Sequence, residues 1–103
     1  MKIAVAFDKV TENIIDDIRN VEYFMIYEFD GNVFVNVEMI STMGKEEFQL
    51  AEILLMLDVD LLLCHRIDQF IENTFYDEGI HVISGISGSS DQAVYTYMTK
   101  GLQ

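Results

Sequence analysis

The sequence has a single cysteine, few basic residues and no long apolar run, and each shortage excludes a class of protein. One cysteine in 103 residues rules out an internal disulfide. This fits a reducing compartment, so we expect a cytoplasmic location. No stretch approaches the ~20 apolar residues of a membrane-spanning helix, so no membrane association is expected. The opening residues, MKIAVAFD, become acidic too early for a signal peptide.

The charge balance is strongly acidic. The chain has six Lys and Arg residues and 18 Asp and Glu residues, which gives a formal net charge of −12. Most of such a surface repels a phosphate backbone, so nucleic-acid binding is not expected. Half of the chain is hydrophobic, which is enough for one core without disulfides or metals. The length predicts a single domain over residues 1–103.

The stretch from residue 59 to residue 83 reads as a strand, a helix and a second strand. Residues 59–63, VDLLL, form a short apolar run typical of a strand buried on both faces. Asp68 is suited to cap the following helix, whose predicted inner stripe is Phe70, Ile71, Thr74 and Phe75. Gly79 fits the helix end, and a strand resumes at residue 80. Two parallel strands joined by a helix form a right-handed crossover.

The rest of the chain completes an α/β fold. Residues 2–7 predict a central strand, residues 9–22 a loop that buries isoleucines, and residues 23–40 a hairpin turning at Asp30 and Gly31. The alternation in residues 33–40 predicts an edge strand with one partly wet face. Helices are predicted over residues 45–58 and from Ser89 to Gly101. The simplest sheet is mixed, in the order 3-2-1-4-5 with strand two antiparallel and helices on both faces, a ribonuclease H-like motif.

Open sheets of this kind bind ligands beyond the carboxyl ends of their parallel strands. This rule predicts a crevice lined by Asp8, Arg66, Asp68, Ser87 and Ser89. The charges of Asp8, Arg66 and Asp68 fit either an ion-pair network across the crevice or an anion site. The serines fit anion binding by free N–H groups or, the interpretation we favour, ordinary helix capping.

Cys64 and His65 are the best candidates for metal ligands, because thiolate and imidazole suit iron–sulfur species, zinc or copper. One domain supplies only two such ligands, whereas a closed zinc site takes four, so a dimer would have to complete the set. The alternative is a buried cysteine at a strand end beside a surface histidine. A nuclease is not expected, since two-metal chemistry needs several carboxylates and strand four ends in Cys-His-Arg.

Several segments together resemble the dinitrogenase iron–molybdenum cofactor biosynthesis family. They are MKIAVAFD, EYFMIYEFDGNVFVNVEMI, QLAEILLMLDVDLLLC, residues 59–83 and SGSSDQAVYTYMTKGL. The resemblance implies a domain related to nitrogenase accessory proteins that carry the cofactor or its precursor. Two family motifs are changed here. A His-Phe-Gly-Arg run corresponds to Asp17-Ile18-Arg19-Asn20, and a Gly-Gly-Ile-Gly loop corresponds to His65-Arg66-Ile67-Asp68.

The resemblance implies a non-enzymatic binding protein that holds a metal species or small anion in the crevice, with Cys64 and His65 as metal ligands. An iron–sulfur or iron–molybdenum cofactor precursor would be its cargo, and a metallocluster donor or acceptor protein its partner. The alternative is a degenerate member without a metal site that acts as an interaction or regulatory domain, with a homodimer built on the aromatic-rich hairpin. A third hypothesis is an enzyme using the charges of Asp8, Arg66 and Asp68.

Overall fold

The structure is a computed structural model that describes residues 1–100. Its centre is a five-stranded sheet in the order β3-β2-β1-β4-β5. The strands are β1 (Lys2–Phe7), β2 (Tyr23–Asp30), β3 (Val33–Ser41), β4 (Leu61–Leu63) and β5 (His81–Ile83). Strand β2 is antiparallel to both β1 and β3, whereas β1, β4 and β5 run parallel. The predicted strand order and the ribonuclease H-like arrangement are therefore confirmed.

The period of two along β1 divides the core between the two faces of the sheet. Ala4 and Ala6 face one side, and Ile3 and Val5 face the other; all four are fully buried. The first side is covered by α1 (Leu50–Met56) and α2 (Gln69–Asp77), and the second by α3 (Ser90–Lys100). Burial on both faces explains why β1 is apolar throughout, as predicted for a central strand.

Helix α1 is shorter than the predicted helix over residues 45–58. A 3₁₀ turn (Glu47–Gln49) precedes it, stabilised by reciprocal capping between Glu46 and Gln49. Leu50 and Leu54 are buried one turn apart, so the predicted apolar stripe still faces the sheet. The helix also ends earlier than predicted, at Met56, and Asp58 has a φ of +59°, which is incompatible with a continuous helix.

Helix α2 begins and ends as predicted. The Oδ1 atom of Asp68 accepts hydrogen bonds from the N–H groups of Phe70 (2.7 Å) and Ile71 (3.3 Å), and Gly79 follows the helix with a φ of +80°. The inclusion of Phe70 in the inner stripe was wrong, because its side chain is 75% exposed. The buried residues of α2 are Ile71 and Phe75. Because successive residues lie about 100° apart around a helix, Phe70 points away from the face that Ile71 buries.

The hairpin turns at Gly31, which has a φ of +61°, immediately after Asp30 as predicted. Strand β3 is an edge strand, also as predicted, but it is exposed on both faces over residues 33–39 rather than on one. Its ladder with β2 contains a register shift that leaves Val35 without a paired residue. Among residues 1–100 no helix covers β3, so its apolar side chains remain in contact with solvent although they alternate with polar ones.

Residues 1–100 contain no helix that is both long enough and apolar enough to cross a membrane. Gly101, predicted to end the last helix, lies outside the described residues.

Candidate functional site

The loop that follows β1, residues 8–22, covers the carboxyl ends of β1, β4 and β5 and is called the covering loop. The N–H of Ile14 donates to the carbonyl of Gly88 at 2.8 Å, and the N–H of Ile18 donates to the carbonyl of Arg66 at 3.0 Å. Arg66 returns a bond from its own N–H to the carbonyl of Asp16 at 3.1 Å. Ile14 and Ile18 are buried, as predicted for this loop, and Ile18 opens the 3₁₀ turn Ile18–Asn20. This end of the sheet is thus closed by main-chain hydrogen bonds.

Cys64 lies inside the core and not on the rim of a crevice. Its side chain is fully buried, in the cluster that contains Leu62 and Phe75. The N–H of Cys64 donates to the carbonyl of Ile83, and the carbonyl of Cys64 accepts from the N–H of Ile86, so hydrogen bonds hold this residue in place directly after β4. Burial, reinforced by the negative charge of Glu72, raises the pKa of Cys64 from 9.0 to about 12. A protonated thiol without access to solvent is not available as a metal ligand.

His65 and Arg66 both approach Asp16 of the covering loop. The Nε2 atom of His65 lies 3.6 Å from Oδ1 of Asp16, and Nη2 of Arg66 lies 3.8 Å from Oδ2. The Nδ1 atom of His65 is buried and has no hydrogen-bond partner among residues 1–100. Arg66 therefore pairs with Asp16, which corrects the predicted ion-pair network of Arg66 with Asp8 and Asp68.

Asp8 and Asp68 have local structural roles. Oδ1 of Asp8 accepts from the N–H of Val10 at 2.9 Å, an Asx turn that starts the covering loop. Asp68 caps α2 as described above. The two carboxylates belong to different turns, and neither makes an ion pair among residues 1–100. The predicted charged lining is therefore not assembled at one point.

Of the two predicted serines, Ser89 is the one with a defined contact. Its Oγ atom accepts from the N–H of Gln92 at 3.2 Å, which caps the start of α3 in agreement with the capping interpretation. Ser87 is exposed, and its side chain makes no hydrogen bond within the described part of the chain. The neighbouring Gly88 has a φ of +91° and supplies the carbonyl that holds Ile14.

The two changed family motifs lie against each other. Residues 16–18 run beside Arg66, and Asp17 and Arg66 form an isolated parallel bridge. The carboxylate of Asp17 is buried and accepts three hydrogen bonds from the Arg19 side chain, the shortest 2.7 Å long. These bonds, with one from the Arg19 backbone, lower the pKa of Asp17 from 3.8 to about 2. At the positions where relatives are expected to carry the histidine and glycines, this chain therefore has an Asp17–Arg19 pair inside the loop and the side chains of His65 and Arg66 close to Asp16.

The residues brought together by the fold do not form a metal site of the expected kind. Within residues 1–100, no three His, Cys, Asp or Glu side chains converge so that they could hold one ion. Cys64 and His65 are adjacent in sequence, but only His65 reaches solvent. The two ligands predicted for a cluster therefore do not fit a shared cluster site in this structure.

A groove on the α3 side of the sheet was missed by the sequence analysis. It has a volume of about 530 Å³ and lies between β3 and the start of α3. Lys9, Glu12 and Asp91 line its polar side, and Met25 and Met39 line its apolar side. The two methionines are directly paired across β2 and β3, which could have been read from the hairpin register.

A buried polar cluster forms one end of this groove. The hydroxyl of Tyr27 donates to Oδ1 of Asp91 at 2.6 Å and shares a 2.7 Å hydrogen bond with Oγ of Ser90. Burial, together with the Asp91 hydrogen bond, raises the pKa of Tyr27. A second groove of about 440 Å³ continues beside Phe34, Tyr95 and Met98. The cluster fixes α3 on the sheet and sets the shape of both grooves.

Comparisons with known proteins agree with this architecture. The sequence profile of the family described as "Dinitrogenase iron-molybdenum cofactor" matches residues 1–100. The fold is shared with the crystal structure of PH0822, with a TM-score of 0.90, 21% identity, and coverage of 100% of this chain and 93% of that one. A candidate dinitrogenase from Methanocaldococcus jannaschii has a TM-score of 0.79 and 19% identity, with 100% and 92% covered. The apo form of the orange protein from Desulfovibrio gigas has a TM-score of 0.82 and 15% identity, with 99% and 90% covered.

A comparison with curated protein sequences found no match. The profile match over nearly the whole chain is decisive: the chain belongs to the dinitrogenase iron–molybdenum cofactor family. The resemblance predicted from the sequence is therefore confirmed. The three solved structures described above, each at most 21% identical, establish the shared fold.

Proposed function

We propose that this chain is a non-enzymatic member of the family that acts by binding another protein and has no cluster-ligand site of its own. The observation that carries the proposal is the full burial of Cys64, the single thiol of the chain. A cluster-binding cysteine must present a thiolate to its cargo, and here the pKa of the thiol is raised to about 12. Membership of the family supports a role in metallocluster biosynthesis.

The closure of the crevice supports the same proposal. Glycines in the matching loop of relatives would let a backbone approach a bulky ligand closely. In this chain His65 and Arg66 occupy that loop and pair with Asp16, while Asp68 is committed to capping α2. The space that a cluster would use is crossed by hydrogen bonds between residues 16–18 and Arg66.

A carrier role for a single metal ion is the second candidate, and one specific observation favours it. The Nδ1 atom of His65 is buried without a hydrogen-bond partner in the described part of the chain, while its Nε2 atom lies 3.6 Å from the Asp16 carboxylate. Imidazole with carboxylate is a ligand pair that zinc accepts. In this version His65 and Asp16 would bind the ion, a donor or acceptor protein would complete its coordination, and Cys64 would take no part.

Metal retention separates the two candidates. Wild type, Cys64→Ala and His65→Ala are purified without oxygen, exposed to zinc or to ferrous iron with sulfide, desalted and assayed for bound metal. The proposal predicts the same background level in all three proteins. Stoichiometric metal in the wild type, lost in His65→Ala, would establish the carrier role instead, and loss in Cys64→Ala would show that the core opens. Circular dichroism of each variant excludes misfolding as the cause.

The oligomeric state remains a prediction. The hairpin that would form a homodimer is exposed along β3, and light scattering during size-exclusion chromatography measures the mass directly. A cytoplasmic location is likewise proposed from the single cysteine and has no structural test.

A further inference from the structure

Strand β3 carries a run of exposed apolar residues along one edge of the sheet. Val33, Phe34, Val35, Val37 and Met39 are between 41% and 67% exposed, although they belong to a sheet strand. Within residues 1–100, β3 pairs with β2 and with no other strand. An open edge of this kind is a template for an additional strand from another chain.

The hydrogen-bond pattern shows which groups this edge offers. The N–H of Thr42 donates to the carbonyl of Glu22, and the N–H of Phe29 donates to Met1 across the other side of β2. Because bonded pairs alternate along antiparallel strands, the even-numbered residues of β3 direct their N–H and C=O groups toward β2. The main-chain groups of Val37, Met39 and Ser41 therefore point outward, where an added strand would bond to them.

The register shift at Val35 limits the usable length of the edge. Residues 36–41 pair continuously with β2, whereas the pairing on the far side of Val35 is displaced by one residue. Bulges bend and twist a strand, so a partner cannot follow the edge past this point. The docking segment is therefore about six residues long, as residue-by-residue pairing along residues 36–41 requires.

Side chains on the two faces of this segment differ in polarity. Val37 and Met39 face the α3 side, where both line the first groove and Val37 also lines the second. Asn36 and Glu38 alternate with them and face the opposite side, since successive side chains of a strand point to opposite faces. A strand added here would meet apolar side chains on one face and polar, acidic side chains on the other.

Charge decides between a second copy of this chain and a different partner. The chain carries a net charge of −12. The acidic residues beside this edge are Glu38, on the face away from α3, and Glu12 and Asp91 in the α3-side groove, where Lys9 is the single basic residue among those that line it. Two copies would bring like charges together, whereas a basic segment is attracted to this surface. The charge distribution therefore favours a cationic partner.

We propose that residues 36–41 bind an extended segment of a partner protein in which apolar residues alternate with Lys or Arg. The segment adds a sixth strand to the sheet. Its apolar side chains lie beside Val37 and Met39 over the α3 groove, and its basic side chains lie beside Glu38. This inference rests on the proposed function and specifies the surface and the chemistry of the partner.

The test uses an eight-residue blocked peptide in which valine alternates with lysine, titrated into the full-length protein labelled with nitrogen-15. Amide shifts are expected to concentrate on residues 36–41, and the affinity should fall as salt is added. Two peptides serve as controls: one with glutamate in place of lysine, and one with four valines followed by four lysines. Both are expected to bind at least about tenfold more weakly, a factor that corresponds to about 1.4 kcal/mol.

Val37→Pro is the decisive variant, because it removes an outward N–H while the bonds of β3 to β2 are kept. Proline is tolerated at such edge positions. We expect Val37→Pro to lower the affinity for the alternating peptide at least about tenfold, because one hydrogen bond to the added strand is lost and its partner group is left unpaired. Met39→Lys, which puts a like charge beside the basic peptide, tests the same edge if Val37→Pro does not fold. Met56→Lys, at an 83% exposed methionine of α1, is the matched control and should leave binding unchanged.

Three results would overturn the inference. They are equal affinity for the glutamate peptide, unchanged binding to both β3 variants, and a wild-type dimer that Val37→Pro converts to a monomer. The last result would assign the edge to a second copy. None of them alters the metal-retention result, so failure of this inference can be told apart from failure of the proposed function.

Discussion

The reactivity of Cys64 is the sharpest test of the proposed function, because a cluster ligand must be reachable as a thiolate. Burial raises the pKa of this thiol from 9.0 to about 12. A rise of this size reduces the thiolate fraction at pH 8 by about a thousandfold. A thiol-specific labelling reagent also has no direct path to the Cys64 sulfur, because the residue is fully buried.

The alternative route to the thiol is opening of the core. In the opened state the thiol has its ordinary pKa, so the rate is set by the small fraction of molecules that are open. A domain stable by about 5 kcal/mol or more opens globally in fewer than about one molecule in a thousand. Either route therefore predicts labelling by a disulfide reagent at pH 8 at least about a thousandfold slower than for an exposed thiol.

The assay compares the native protein with two references. One is the same protein in denaturant, and the other is Met56→Cys in a Cys64→Ala background, which places a thiol at an 83% exposed position. The native rate should rise steeply with added urea until it meets the unfolded rate. Labelling of the native protein within about tenfold of the exposed reference would mean that the core admits the reagent, and the argument against Cys64 as a ligand would fail.

Three further perturbations test individual contacts. Tyr27→Phe leaves the buried Ser90 hydroxyl without its 2.7 Å partner and should lower the free energy of unfolding by about 1–3 kcal/mol in urea titrations, whereas Tyr95→Phe, at a 62% exposed ring, should not. Asp68→Ala removes the cap of α2 and should cost about 1 kcal/mol by the same measurement. The pKa of Asp17 is lowered from 3.8 to about 2, so its ionised form stabilises the fold above pH 4, and this contribution is lost between about pH 4 and pH 2. Asp17→Asn should therefore have a lower free energy of unfolding than wild type at pH 7. The difference between the two free energies should narrow at pH 2.

Each of these has an outcome that contradicts it. Equal stability of Tyr27→Phe and Tyr95→Phe would mean that the hydroxyl cluster does not hold α3. An Asp68→Ala protein as stable as wild type would mean that another group satisfies the first turn of α2. A constant gap between Asp17→Asn and wild type from pH 7 to pH 2 would show that the Asp17 carboxylate does not titrate in the predicted range.

The fold could be predicted because local signals and burial agree. The apolar run of β1, the turn at Gly31 and the capping of α2 by Asp68 each have one physical solution, and together they determine the strand order. The boundaries of α1 were less accurate. The reciprocal cap of Glu46 and Gln49 stabilises a tighter turn first, and the helical pattern alone does not distinguish this turn from an α-helix.

The site was predicted less well, and Cys64 shows why. The metal hypothesis assumed that β4 had ended before Cys64, so that adjacent residues could share an ion. Strand β4 does end at Leu63, but Cys64 is still hydrogen-bonded to Ile83, and the period of two still places its side chain on the same face as Leu62. Applying that period one residue further would have predicted burial. The pairing of Arg66 with Asp16 could not be predicted, since it depends on how residues 9–22 cross the sheet.

The hydrogen bonds that hold residues 9–22 across the end of the sheet have a consequence for the order of folding. Ile14 is bonded to Gly88 and Ile18 to Arg66, positions that lie far apart along the chain. These bonds require β4, β5 and the approach to α3 to be in place first, because long-range closure yields contacts only after the intervening chain is ordered. The segment after β1 should therefore dock in the last stage of folding, and its amide protons should exchange with deuterium sooner than those of β1 itself.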